Sequence, residues 1–131
     1  MIQLDTQAAA WLVTRPQRLS RRAAASIRRA EAGEGLAIAS VTLMELASML
    51  ARGEILATGT PQAWLRAFVA RTAVATRDIT VDIAAVAAHL PAGFPRDPFD
   101  RLIAATAIVE RMPLVTADAR IQDSGVVKTI W

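Results

Sequence analysis

The sequence contains no cysteine, so it carries neither a disulfide framework nor a thiolate metal site. It has a single histidine, His89. That leaves no second imidazole for a zinc site and no nucleophile–histidine motif, and His89 reads as structural, at a helix end. No uninterrupted apolar run approaches the roughly 18 residues of a membrane span. The N-terminus lacks a basic segment, and Asp5 comes too early for a secretory leader. A glycine-rich phosphate loop is missing, which argues against a nucleoside-triphosphate enzyme. Internal repeats and low-complexity tracts are absent too. These absences favour a cytoplasmic protein whose chemistry needs neither thiol nor imidazole.

What is present fits one domain across residues 1–131, burying roughly two-thirds of its unfolded surface. The apolar fraction is 53% and the mean hydropathy +0.33. Most of the excess is alanine, yet the apolar content still points to a buried interface with a partner or a second copy. Fifteen basic residues against twelve acidic ones give a net charge of +3, with arginine supplying nearly all the bases. Arg15, Arg18, Arg21, Arg22, Arg28 and Arg29 crowd one early segment, while several acids fall at junctions between elements. A basic flank beside an acidic centre suits a metal-dependent enzyme acting on a phosphodiester.

In chain order, Met1 to Leu4 reads as a short strand ended by Asp5, which caps a helix from Thr6 to Val13. Ser20 caps a second helix to about Ala32, with Arg21, Arg22, Arg28 and Arg29 on one face, either solvated or facing phosphate or an acidic partner. Leu36–Ala39 is a strand, and Ser40 is expected to cap a helix from Val41 to Arg52. Gly53 to Gly59 reads as a loop. Thr60-Pro61 opens a helix whose stripe of Trp64, Leu65, Phe68 and Val69 serves either the core or a dimer contact. A strand is expected at Thr76–Thr80, then a helix to about Leu90. Asp97, followed by Pro98, caps a helix to about Arg111 that places Asp100 at its third position. Pro113–Thr116 forms the next strand, ending toward Asp118. A short turn through Gly125 then leads to a last strand at Val126–Ile130. Strand–helix alternation of this kind predicts an α/β fold with a mainly parallel sheet flanked by helices.

Asp5 and Asp118 follow strands, Asp97 and Asp100 open a helix, and Glu45 lies about one turn inside another. In a parallel α/β sheet these junctions share one rim, where ligands bind. Each acid alone has a bland role as a cap or a solvent-facing residue. Other helix starts are assigned to Ser20, Ser40 and Thr60, so capping does not by itself demand aspartate. Crowded carboxylates repel and raise one another's pKa values, and a hard divalent cation such as Mg²⁺ or Mn²⁺ removes that penalty. Such an ion makes a water more acidic and neutralises charge on a scissile phosphate.

Leu4-Asp5-Thr6, the stretch Ala39 to Ala47 around Glu45, the stretch Arg96 to Ala104, and Leu114 to Asp118 occur in an order that resembles the PIN-domain ribonucleases, specifically the VapC toxins of type II toxin–antitoxin systems. Gly125 to Trp131 is similar to that family's closing strand, so the resemblance covers essentially the whole chain. It implies a metal-binding quartet of Asp5, Glu45, Asp100 and Asp118, with Asp97 as an accessory acid and Thr116 as a hydroxyl at the same rim. It also implies an Mg²⁺-dependent (or Mn²⁺-dependent) endoribonuclease, an RNA substrate, a cognate antitoxin and a homodimer. After Asp5-Thr6 the family usually has Asn or His, where this chain has Gln7. The competing readings are a non-enzymatic interaction protein of the same fold, and a metal-dependent phosphatase or DNase using the same acids.

Overall fold

The computed structural model describes residues 1–131. Its centre is a five-stranded sheet made of β1 (Ile2–Leu4), β2 (Leu36–Ala39), β3 (Ala75–Arg77), β4 (Leu114–Val115) and β5 (Thr129–Ile130). Every pairing is parallel and the spatial order is β3-β2-β1-β4-β5. The chain builds outward from β1 to one side, then returns to add β4 on the other. That reversal makes the carboxyl ends of β1 and β4 the natural ligand crevice.

Seven helices connect and cover the strands: α1 (Thr6–Thr14), α2 (Arg21–Ala32), α3 (Ser40–Ala51), α4 (Pro61–Thr72), α5 (Val81–Ala88), α6 (Pro98–Val109) and α7 (Ala119–Ser124). Side chains alternate across the sheet. Leu4, Leu36, Ile38 and Val115 face a core shared with Ala8, Ala9 and Ala10 of α1, Ile27 of α2, Leu46 of α3 and Phe68 of α4. Ala39 and Leu114 face the opposite side, against Ile103, Ala104 and Ala107 of α6 and Ile121 of α7. Much of the alanine excess is thereby used inside one chain: eight of these positions and their neighbours, Ala37 and Ala105 among them, are almost fully buried. Small side chains let helices lie close to the sheet.

Local chemistry explains most helix starts. Asp5 Oδ1 accepts the Ala8 N–H at 2.8 Å, Ser20 that of Ala23 at 3.0 Å, and Thr60 that of Ala63 at 3.1 Å. Ser40 does not cap α3. Strand β2 runs into α3 with no intervening loop, so Ala39 holds the cap position and makes no side-chain cap bond. Its methyl group is committed to the second core. The third strand ends at Arg77 rather than Thr80, because the Thr80 hydroxyl accepts the Ile83 N–H at 3.2 Å and starts α5. The stretch after Asp118 is a helix, α7, and not a turn. It is closed by Gly125 at φ 69°, a left-handed conformation that glycine adopts without strain. The last strand is correspondingly shorter than Val126–Ile130.

The Trp64 stripe faces inward. Phe68 is buried, and Trp64, Leu65 and Val69 pack on the main core, with the Trp64 and Phe68 rings stacked at 5.7 Å. The exposed large apolar residues are elsewhere: Met44, Leu56, Ile79 and Val81. No helix is long and apolar enough to cross a membrane.

Candidate active site

A cavity of about 620 Å³ opens at the carboxyl ends of β1 and β4. Asp5, Glu45, Asp97, Asp100 and Asp118 all line it, with Thr6, Gln7 and Arg52. The rim expected from the sequence therefore exists, and it gathers the whole quartet and the accessory acid.

Register places the first and last members. Leu4 lies beside Val115, and the Asp5 N–H donates to the Val115 carbonyl at 3.1 Å, so Asp5 leaves β1 next to Thr116. Burial pushes the Asp5 carboxyl up to about 6, against contacts from the Thr116 hydroxyl and the Ala8 N–H that pull it down; the charges of Asp118 and Glu45 add to the rise. Thr116 itself is fully buried. Its hydroxyl accepts the Asp118 N–H at 3.1 Å, so it sets the turn behind the cavity and does not line it.

Glu45 is half-buried on α3 and accepts the Thr6 hydroxyl at 2.5 Å. Thr6 in turn lies 3.1 Å from the Thr42 hydroxyl, which is fully buried. Glu45, Ser48 and Arg52 thus all face the cleft. Burial raises the Glu45 pKa, Thr6 opposes the rise, and Asp97 adds to it.

On α6, Asp97 Oδ1 accepts the N–H groups of Phe99 at 2.7 Å and Asp100 at 3.3 Å, as its cap position predicts. Asp100 is held differently. Its nearest polar partner is the Arg120 guanidinium, 3.9 Å from Oδ2. Burial, then the charges of Asp97, Glu45 and Asp118, push its carboxyl up to about 6. Asp118 is bound closely by Arg120, at 3.2 and 2.8 Å, and also accepts the Arg120 N–H at 2.9 Å. That hydrogen bonding holds its pKa below the ordinary carboxylate value.

The roles of three supporting residues, Thr6, Arg101 and Arg120, are not legible in the sequence, although Thr6 and Arg101 lie inside the motifs quoted above. Thr6 and Arg120 sit one and two positions from recognised acids, but their roles depend on contacts between elements. Arg101 donates to the carbonyls of Ala87, Leu90 and Pro95 at 3.1, 3.0 and 3.2 Å, fastening the α5–α6 connection to the helix that carries Asp100. The only sequence signal was an arginine directly after Asp100. His89 is exposed, and one ring nitrogen lies 2.9 Å from the Ala85 carbonyl, consistent with a structural role at a helix end.

The donor set suits a hard divalent cation: every acid here offers oxygen, and three of them are pushed toward protonation by burial and mutual repulsion. No three of the carboxylates converge as a closed cage in this arrangement. Asp118 is turned to Arg120, while Asp100 carries no hydrogen bond that would have to be broken. The fit to a hard cation therefore lies in the chemistry of the donors, all of them carboxylate oxygens lining one cavity.

The PIN domain family model matches residues 2–126. Ribonuclease VapC22 of Mycobacterium tuberculosis is 39% identical over 121 residues, spanning 92% of this chain and 89% of the relative. Among solved structures, DNA-bound VapBC from Salmonella typhimurium aligns with a TM-score of 0.73 and 20% identity, covering 98% of this chain and 97% of that one. VapBC2 from Rickettsia felis, bound to a promoter DNA fragment, aligns with a TM-score of 0.72 at 20% identity, with the same coverage.

Proposed function

Because the chain belongs to the PIN domain family, among its VapC members, we propose that it is a metal-dependent endoribonuclease, the toxin of a toxin–antitoxin pair. The observation that carries this reading is Asp100. Capping accounts for Asp5, Asp97 and Asp118, each of which accepts a backbone N–H at a helix start. It does not account for Asp100, a half-buried carboxylate facing three other acids with only a distant arginine for company.

Asp5, Glu45, Asp100 and Asp118 would hold Mg²⁺ or Mn²⁺. The bound ion supplies Lewis acidity at the scissile phosphate and makes a nearby water more acidic. The chain supplies placement. The Ala8 N–H orients Asp5, the Thr6 hydroxyl orients Glu45, and the Thr116 hydroxyl fixes the backbone that presents Asp118. Asp97 rigidifies the first turn of α6 and adds negative charge at the rim. Gln7 is exposed at the mouth of the cavity, where its amide is available to the RNA.

A cognate antitoxin and a homodimer belong to the same proposal. Purified free of antitoxin, the protein should cleave RNA with Mg²⁺ or Mn²⁺ and lose that activity in excess EDTA. Undiminished cleavage in EDTA would refute the metal mechanism, and cleavage of DNA in place of RNA would reassign the substrate.

A further inference from the structure

A second cavity of about 270 Å³ adjoins the acidic one, and Gln7, Met49 and Glu54 line both. Its far wall is the end of α1 and the turn after it, which contribute Thr14, Arg15 and Arg18. The two cavities therefore form one continuous trough, acidic at one end and basic at the other. Glu54 adds little charge to the basic end, because Arg52 pairs with it through two contacts of 3.0 and 3.1 Å. Arg15 and Arg18 are exposed and take part in none of the ion pairs of the structure. The Arg18 guanidinium lies 5.8 Å from the centre of the Trp11 ring, and Trp11 is braced by Trp131 at 5.9 Å. Contact with an aromatic face restrains a side chain that would otherwise sweep through solvent, leaving its charge uncompensated.

An acidic cleft alone repels the substrate it is meant to cut. A phosphodiester strand needs cations beside the carboxylates, at a distance set by the repeat of its own backbone. Resting on the ribonuclease reading above, we propose that the Arg15–Arg18 end of the trough is a substrate subsite, holding backbone phosphates of the RNA that flank the cut. It contributes affinity without base selection, since both arginines contact phosphate rather than base edges.

The test uses a fluorescein-labelled single-stranded RNA in EDTA, with binding followed by anisotropy across a salt series so that cleavage plays no part. Relative to wild type, R15Q/R18Q should bind about tenfold more weakly at 0.1 M salt and lower the salt slope by about 1.4, two phosphate contacts' worth. R18K should recover most of the slope. R66Q/R71Q, which removes the same charge from α4 outside both cavities, should change affinity less than twofold. Melting curves confirm that each variant is folded. If R15Q/R18Q keeps wild-type affinity and slope while wild type cleaves RNA with Mg²⁺, the subsite is wrong and the ribonuclease reading stands. If the variant keeps RNA affinity but loses antitoxin binding, the trough belongs to the protein partner and the proposal is overturned. If wild type neither binds nor cleaves RNA, both readings fall.

Discussion

Asp97 and Asp100 lie three positions apart on one helical turn, yet the structure gives them opposite jobs. Asp97 spends one oxygen on two backbone N–H groups, a cap that stabilises by about 0.5–2 kcal/mol relative to alanine. Asp100 gains only its interaction with the helix dipole, roughly 0.3–1 kcal/mol, and carries the cost of burial beside other acids. Asp100→Asn should therefore abolish cleavage while leaving the melting temperature of the metal-free protein unchanged or raised. Asp97→Ala should lower that temperature by several degrees and reduce activity in part, and Asp97→Asn, still able to cap, should change stability little. Catalytic rate measured beside metal-free melting for the three variants decides the assignment. A dead Asp97→Asn with an active Asp100→Asn would mean that cap and ligand are reversed.

At the scale of elements, α6 is placed by a residue that never touches the cavity. The Arg101 guanidinium donates to one carbonyl at the end of α5 and two in the α5–α6 connection, and lies 6.0 Å from the Phe94 ring. Arg101→Ala should cost about 2–4 kcal/mol. It should also lower cleavage more than RNA affinity, because Asp97 and Asp100 lose their fixed position. Equal activity with a lowered melting temperature would show that the staple serves stability alone. Such a staple could not be read from the sequence: it joins Arg101 to backbone atoms whose approach only the fold creates. The junction acids were legible because a strand end and a helix cap are local events: Asp5 and Asp97 make their expected cap bonds, whereas Asp118 follows its strand as expected but caps a helix where a turn was expected. Helix α7 was missed because six residues with only Ile121 buried show no periodicity. Ser40 misled for another reason: a serine before an apolar run looks like a cap whether or not a loop precedes it.

For the whole molecule, the crowded acids set a pH dependence. Asp5 and Asp100 titrate near 6 when folded, against an ordinary value of 3.8. Below that ordinary value both states are protonated, and the stabilisation is fully present. It is lost as pH rises through about 6, where the folded protein must ionise groups that the unfolded chain ionised earlier. Asp118 acts in the opposite sense, but only near and below its ordinary value. The metal-free protein should accordingly melt higher at pH 5 than at pH 7.5, with the difference reduced in Asp100→Asn. Added Mg²⁺ should raise the melting temperature more at pH 7.5 than at pH 5. Melting that falls on acidification across this range would show that the carboxylates do not crowd. Association belongs to this scale as well. Since Trp64 packs inward on Phe68 and the core, Trp64→Ala should destabilise by about 2–4 kcal/mol without changing the sedimentation of the proposed dimer. A dimer that dissociates in a still-folded Trp64→Ala would return the stripe to the interface.

The sheet order also has a consequence in time. β1 precedes the other strands, but its second neighbour, β4, follows β2, β3 and the helices α1 to α6, and Leu114 pairs back to Gln3 across all of them. Asp118 and the Val115 carbonyl that holds the Asp5 N–H therefore arrive only after Asp5, Glu45 and Asp100 have all been made. A nascent chain already bearing Asp5, Glu45 and Asp100 has no competent cleft, and pairing across so long a separation is a slow step in folding. On the proposed reading, a nascent chain that has not yet reached β4 is harmless, and an interval separates making the first acids from arming the cleft.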